Sequence, residues 1–106
     1  SHAAEDKRAR QLAEQRLAAW QLLEGLKAAL ATDGDALLSA GEHEEIVAQM
    51  TALQALLESA EADAIRTQTE RLGRQSEAFA GRRMDRSIRD ALAGVSLDAL
   101  DDKVSQ

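Results

Sequence analysis

Residues 39–57 read SAGEHEEIVAQMTALQALL. Ser39 and Glu42 stand at capping-box spacing, in which the hydroxyl takes the N–H three residues on and the carboxylate reaches back to the serine N–H. Ile46, Met50, Leu53 and Leu57 follow at steps of 4, 3 and 4, with Val47 and Leu56 beside them. That spacing is one apolar face of an α-helix. A capped start and an unbroken stripe predict a helix from Ser39 to about Ser59.

Upstream, Ala3 to Thr32 reads as another helix. Leu12, Ala19, Leu23, Leu26 and Leu30 recur at steps of 7, 4, 3 and 4, and Trp20 and Leu22 widen the stripe. Only the rear half is amphipathic. From Ala3 to Gln11 no side chain larger than Ala is suited to burial, while Glu5, Asp6, Lys7, Arg8 and Arg10 crowd the same turns. The front therefore has nothing in its own chain to pack against. Thr32-Asp33-Gly34-Asp35 predicts the stop, with Gly34 in the left-handed conformation that ends helices. Trp20, beside the apolar face, is expected in the core, or else as an anchor for another domain or chain.

Downstream, Ser59-Ala60-Glu61-Ala62-Asp63 is an acidic break that Glu61 or Ser59 caps. A third helix carries Ile65, Leu72, Phe79, Ile88 and Leu92 and runs to Ala93. The step from Phe79 to Ile88 is 9 residues, so Met84 and a bend near Gly81 are expected to turn the stripe. Gly94 is the expected stop. Ser96 to Leu100 reads as a capped final turn and 101–106 as a frayed tail.

Composition agrees with this reading. Of 106 residues, 22 are Ala and 15 Leu, and Ala, Glu, Lys, Leu and Arg together fill 60 positions. Such a pool excludes a sheet and makes the core thin and aliphatic. The expected fold is all-α: a small antiparallel bundle of three main helices plus a short C-terminal turn, with a long projecting first helix. There is no Cys, which removes disulfides, thiolate nucleophiles and Cys-based zinc sites. No apolar stretch approaches the roughly 20 residues that cross a bilayer, and Ser1 to Lys7 has no signal-peptide core. A cytoplasmic location is expected, with Ser1-His2 a cloning remnant and residues 3–100 a domain cut from a longer polypeptide.

Little in the sequence points to chemistry. The chain holds 19 acidic and 13 basic residues, a net charge of −6. His43 has no second ligand at metal spacing, and neither Ser nor Thr finds a His–Asp pair. Gly34 and Gly41 do not form a phosphate loop. Neither catalytic residues, metal ligands nor cofactor-binding residues are expected. Residues 28–65 contain eight acids and no Lys or Arg, which reads as a solvated acidic shoulder. Arg82, Arg83, Arg86 and Arg89 look like a basic stripe, but Asp85 and Asp90 stand four residues from Arg89 and Arg86. An i,i+4 salt-bridge ladder is therefore the first reading, a protein-docking face with Trp20 the second, and nucleic acid the last.

Two strings carry a resemblance. Leu37 to Ile46 reads LLSAGEHEEI and Phe79 to Leu97 reads FAGRRMDRSIRDALAGVSL. Both resemble the carboxy-terminal helical lid of HscA, the branch of the DnaK-type, seventy-kilodalton heat-shock chaperones that serves iron–sulfur cluster assembly. Val95 and Asp90 depart from that pattern. The resemblance covers Ala3 to about Leu100 and implies a noncatalytic flap over the peptide groove of a β-sandwich. It implies a parent that hydrolyses ATP with Mg in another domain, an IscU-like client and an HscB-like co-chaperone, and neither nucleic acid nor membrane as partner. Arg10, Glu14, Gln15 and Arg16 then become candidate latch residues over the sandwich. Alone, the first helix is expected to fray, protrude or pair with another copy. The contrasting expectation is a stand-alone helical adaptor that docks through Trp20 and the Arg82–Arg89 face.

Overall fold

The structure, a computed structural model, describes residues 2–105, with side chains through Val95. Helix α1 (His2–Ala29) passes through a π-helical segment (Leu30–Gly34) into the single turn α2 (Asp35–Leu37), so the first rod is 36 residues long. Then come α3 (Ala40–Leu56), α4 (Ala62–Gln75) and α5 (Glu77–Ser105). No described residue lies in a strand. The molecule is an all-α bundle of four helical rods.

The capping box at the start of α3 forms as its spacing requires. Ser39 N–H donates to Glu42 Oε1 at 2.9 Å, and Glu42 N–H donates to Ser39 Oγ at 3.2 Å. The expected stop at Gly34 does not occur. Gly34 is right-handed, with φ −57° and ψ −48°, and no described residue has a positive φ. Its lack of a side chain serves packing instead, because Gly34 is buried with the His43 ring of α3 lying over it. The turn is made by Leu38 and Ser39, both extended, so the connection is two residues rather than a loop starting at Thr32.

All four rods contribute to one core. The rear of α1 gives Ala19, Leu23, Leu26 and Ala29, α3 gives Ile46, Met50 and Leu53, α4 gives Ile65 and Leu72, and α5 gives Phe79. Gln68 interrupts the α4 stripe and is also buried. Its amide donates to Gln49 Oε1 at 2.7 Å and to the Gln49 carbonyl at 3.1 Å, which removes the penalty of an unpaired polar group.

The third expected helix is two rods. The break is at Ser76, where φ is −96° and ψ 0° and the hydroxyl donates to the Gly73 carbonyl at 3.1 Å. Ser76 N–H still reaches Leu72 O, and Ala80 N–H still reaches Ser76 O, each at 3.0 Å, so the chain kinks without turning back. The helix is not interrupted at Gly81, and α5 runs through Gly94 to Ser105. The segment expected as a capped turn, and the backbone expected as a tail, are part of that helix. Side chains beyond Val95, and Gln106 itself, lie outside the described residues.

A continuous α5 decides the fate of its apolar residues. Nine residues are about two and a half turns, so Ile88 faces away from Phe79. Phe79 is 1% exposed, whereas Met84, Ile88, Leu92 and Val95 are 62%, 49%, 60% and 63% exposed. The expected core stripe therefore ends at Phe79. The molecule measures 76 × 34 × 17 Å with a radius of gyration of 20.0 Å. A compact domain of this length has about 13 Å. The front of α1 and the rear of α5 are the two projecting ends.

A buried glycine with helical angles and room for a methyl group should accept alanine. A Cβ at Gly34 meets its nearest neighbours at 3.5 Å, ordinary van der Waals contact. Gly34→Ala is expected to raise stability in urea unfolding by about 0.5–1 kcal/mol. A loss of stability would mean that the glycine is left-handed after all.

Candidate functional site

The front of α1 is a helix without a neighbour. Residues 2–11 are all exposed. Of the candidate latch residues, Arg10 and Glu14 point to solvent one turn apart, and Gln15 is half-buried. Arg16 is engaged elsewhere in the chain. Its Nε donates to Leu57 O at 2.9 Å and its Nη2 to Ser59 O at 3.0 Å, so it ties α1 to the C-cap carbonyl of α3 and to the connection just beyond it. The four therefore divide into a solvent-facing pair, a boundary residue and a structural tie.

Trp20 is not a core residue. It sits one position, about 100° around the helix, from the fully buried Ala19, and that rotation carries the indole off the packed face. Trp20 and Leu17 are each 55% exposed. Being three residues apart, they form an apolar strip just behind the polar front.

The arginines of α5 do not form the expected i,i+4 ladder. Arg82 makes a two-pronged pair with Glu42, Nη1 to Oε1 at 2.9 Å and Nη2 to Oε2 at 2.8 Å. Its Nη1 also donates to Leu37 O, the last carbonyl of α2, at 2.8 Å. Arg83 Nε and Arg86 Nη1 converge on the two oxygens of Asp33 at 2.8 and 3.0 Å. The Asp33 side chain is only 14% exposed and is presented by the π-helical segment. Arg89 makes no ion pair among the described residues; its Nε reaches only the Asp85 carbonyl, at 3.4 Å.

One carboxylate thus holds three pieces. Glu42 closes the cap of α3, fixes the two-residue connection through Ser39, and receives α5 through Arg82. Hydrogen bonding from Arg82, then from the Ser39 backbone, holds its carboxyl down to about 2 from an ordinary 4.5. The Arg82 guanidinium is raised in turn by its bond to Glu42. The acidic shoulder is therefore partly structural. Besides Asp33 and Glu42, Glu45 accepts from Gln75 at 3.1 Å and Asp63 pairs with Arg66 at 3.1 Å. Residues 40–53 positions apart in sequence give no local signal of such pairing, so only the charge types were readable.

Among the described residues no three His, Cys, Asp or Glu side chains converge as metal ligands would. No described helix is long and apolar enough to cross a membrane. The grooves between helices are open; one is lined by Lys27, Val47, Met50, Thr51 and Gln54 along the outer face of α3. What the arrangement offers is surface: a polar helical front, an apolar strip behind it, and an outward apolar stripe on α5.

No protein-family model matches the chain. Curated relatives do. A chaperone protein HscA homolog of Methylobacillus flagellatus is 48% identical over 96 residues, 91% of this chain and 15% of the relative. The homolog of Pseudomonas putida is 44% identical over 101 residues, 95% of this chain and 16% of the relative. That of Aliivibrio fischeri is 48% identical over 98 residues, 92% of this chain and 16% of the relative. The chain thus spans about one-sixth or less of the curated relatives it matches, and the similarity falls in their carboxy-terminal part.

The Glu42 cluster has a pH signature. A carboxyl that titrates near 2 when folded and near 4.5 when unfolded stabilises the fold fully above pH 4.5, and that stabilisation fades as pH falls toward 2. Thermal unfolding of the wild type should show its midpoint dropping across that window, and Glu42→Gln should flatten the drop while lowering the midpoint at pH 7. Parallel curves for the two proteins would show that Glu42 is not the group responsible.

Proposed function

The chain belongs to the HscA family of chaperones, and on that premise we propose that it is the noncatalytic lid over its parent's peptide-binding groove. The observation that carries this reading is the front of α1: residues 2–11 continue the packed rod as unbroken helix yet are exposed at every position. An isolated helix of that length is marginal in water. A helix fixed at its rear and bare at its front is suited to lie across another body.

The proposed mechanism is a gate. A client in the covered groove leaves only when the lid lifts, so release slows by the fraction of time the lid is shut. Arg10 and Glu14 form the polar underside, with Leu17 and Trp20 behind them as the apolar heel. Arg16 keeps the rod aligned with α3 and does not latch. Polar contacts of this kind are each worth about 0–1 kcal/mol when exposed, which allows the gate to reopen. The wider setting proposed with it is iron–sulfur cluster biogenesis in the cytoplasm, with an IscU-like client, an HscB-like co-chaperone, and ATP hydrolysis with Mg in a separate domain of the parent. The chain itself matches a region of its relatives that is not their ATPase domain. The adaptor reading is weaker, because Arg82, Arg83 and Arg86 of its docking face are engaged within the chain.

The test is dissociation of a labelled client peptide from the full-length chaperone with ADP bound, with and without the residues described here. Removal should speed release by about tenfold or more, an opening cost of about 1.4 kcal/mol or more. An unchanged off-rate would sink the lid reading.

A further inference from the structure

One surface has no part in that mechanism. Met84, Ile88, Leu92 and Val95 lie within an arc of about 80° on α5, given about 100° per residue, and the middle of that arc points away from Phe79, Arg83 and Arg86. All four are exposed, by about half or more. So α5 has two faces: one bound to the bundle by the arginines, the other apolar and bare.

The bare face repeats itself about Ile88. An antiparallel second helix centred there sets Ile88 against Ile88, Met84 against Leu92 and Val95 against Gly81, where the missing side chain leaves room. Asp85 and Arg89 border the stripe on the same edge. In a two-fold antiparallel pair that edge faces its own copy, with Asp85 about two residues, or 3 Å, in height from the other chain's Arg89. Neither residue makes an ion pair among the described residues. The other edge, Ser87 and Ala91, is small enough for close approach.

We propose that this face binds a second copy of the same chain, as an antiparallel α5–α5 pair with two reciprocal Asp85–Arg89 contacts. The self-matching of both the apolar residues and the charges about one point is what selects a second copy over an unrelated partner, which has no need of two-fold order. Four partly exposed side chains cover less than the roughly 800 Å² per partner of a standard stable complex, so the dimer is weak and depends on concentration. It leaves the front of α1 free in both copies.

Sedimentation equilibrium of the 106-residue chain up to about 1 mM should give a monomer–dimer equilibrium. Ile88→Asp places a charge in the apolar contact and should weaken it by about tenfold or more with helical content unchanged. Asp85→Arg and Arg89→Asp should each weaken association alone, because like charges then face each other. An equimolar mixture of these two variants should recover it, since each Arg again meets an Asp. A chain that stays monomeric, an Ile88→Asp variant that dimerises normally, or a mixture no tighter than its components would overturn the proposal. So would a dimer lost on Trp20→Ala and kept in Ile88→Asp, which would place the contact on α1.

Discussion

Two carboxylates, Glu42 and Asp33, hold the far end of the molecule together. Without their arginines, α5 would be joined to the bundle by little more than the kink at Ser76 and the single plug of Phe79. With them, α5 is pinned across the end of the first rod, and the same contacts close the cap of α3 and cover the last carbonyl of α2. A chain with 22 Ala among its 47 hydrophobic residues is short of large apolar side chains, so polar ties at the helix ends do work that bulk apolar burial does in larger domains. Arg16 plays the equivalent part at the opposite end of α3.

That rigid rear gives the front of α1 its meaning. A lever needs a fixed base. Here the base is Ala19 to Ala29 packed against α3 and α4, tied by Arg16 at one end and by the arginine cluster at the other. The two projecting ends differ in chemistry. The α1 front is polar, suited to contacts that form and break many times. The α5 face is apolar and self-matching, suited to contact with its own kind.

The residues that act locally were legible. Ser39 and Glu42 announce a cap because both partners lie within one turn, and the 4-3-4 stripe of α3 is a property of the helix itself. Gly34 misleads because glycine has two uses, freedom of φ and absence of a side chain, and only the buried contact with His43 shows which applies. Trp20 misleads by a single position, a matter of 100° that composition does not resolve. The Phe79–Ile88 step was visible, but a bend at Gly81 and an exposed stripe satisfy it equally. The arginine–carboxylate cluster was illegible altogether: opposite charges 40 to 53 residues apart become partners only once the rods are placed.

Amide hydrogen exchange, followed residue by residue in this chain alone and in the same segment of the full-length chaperone with ADP and client bound, tests the lever most directly. The account predicts that residues 3–11 exchange rapidly in the isolated chain while the core positions of α1, α3 and α4 are protected, and that 3–11 become protected in the parent with the core unchanged. Equal exchange of the front in both settings, whether fast or slow, would contradict it.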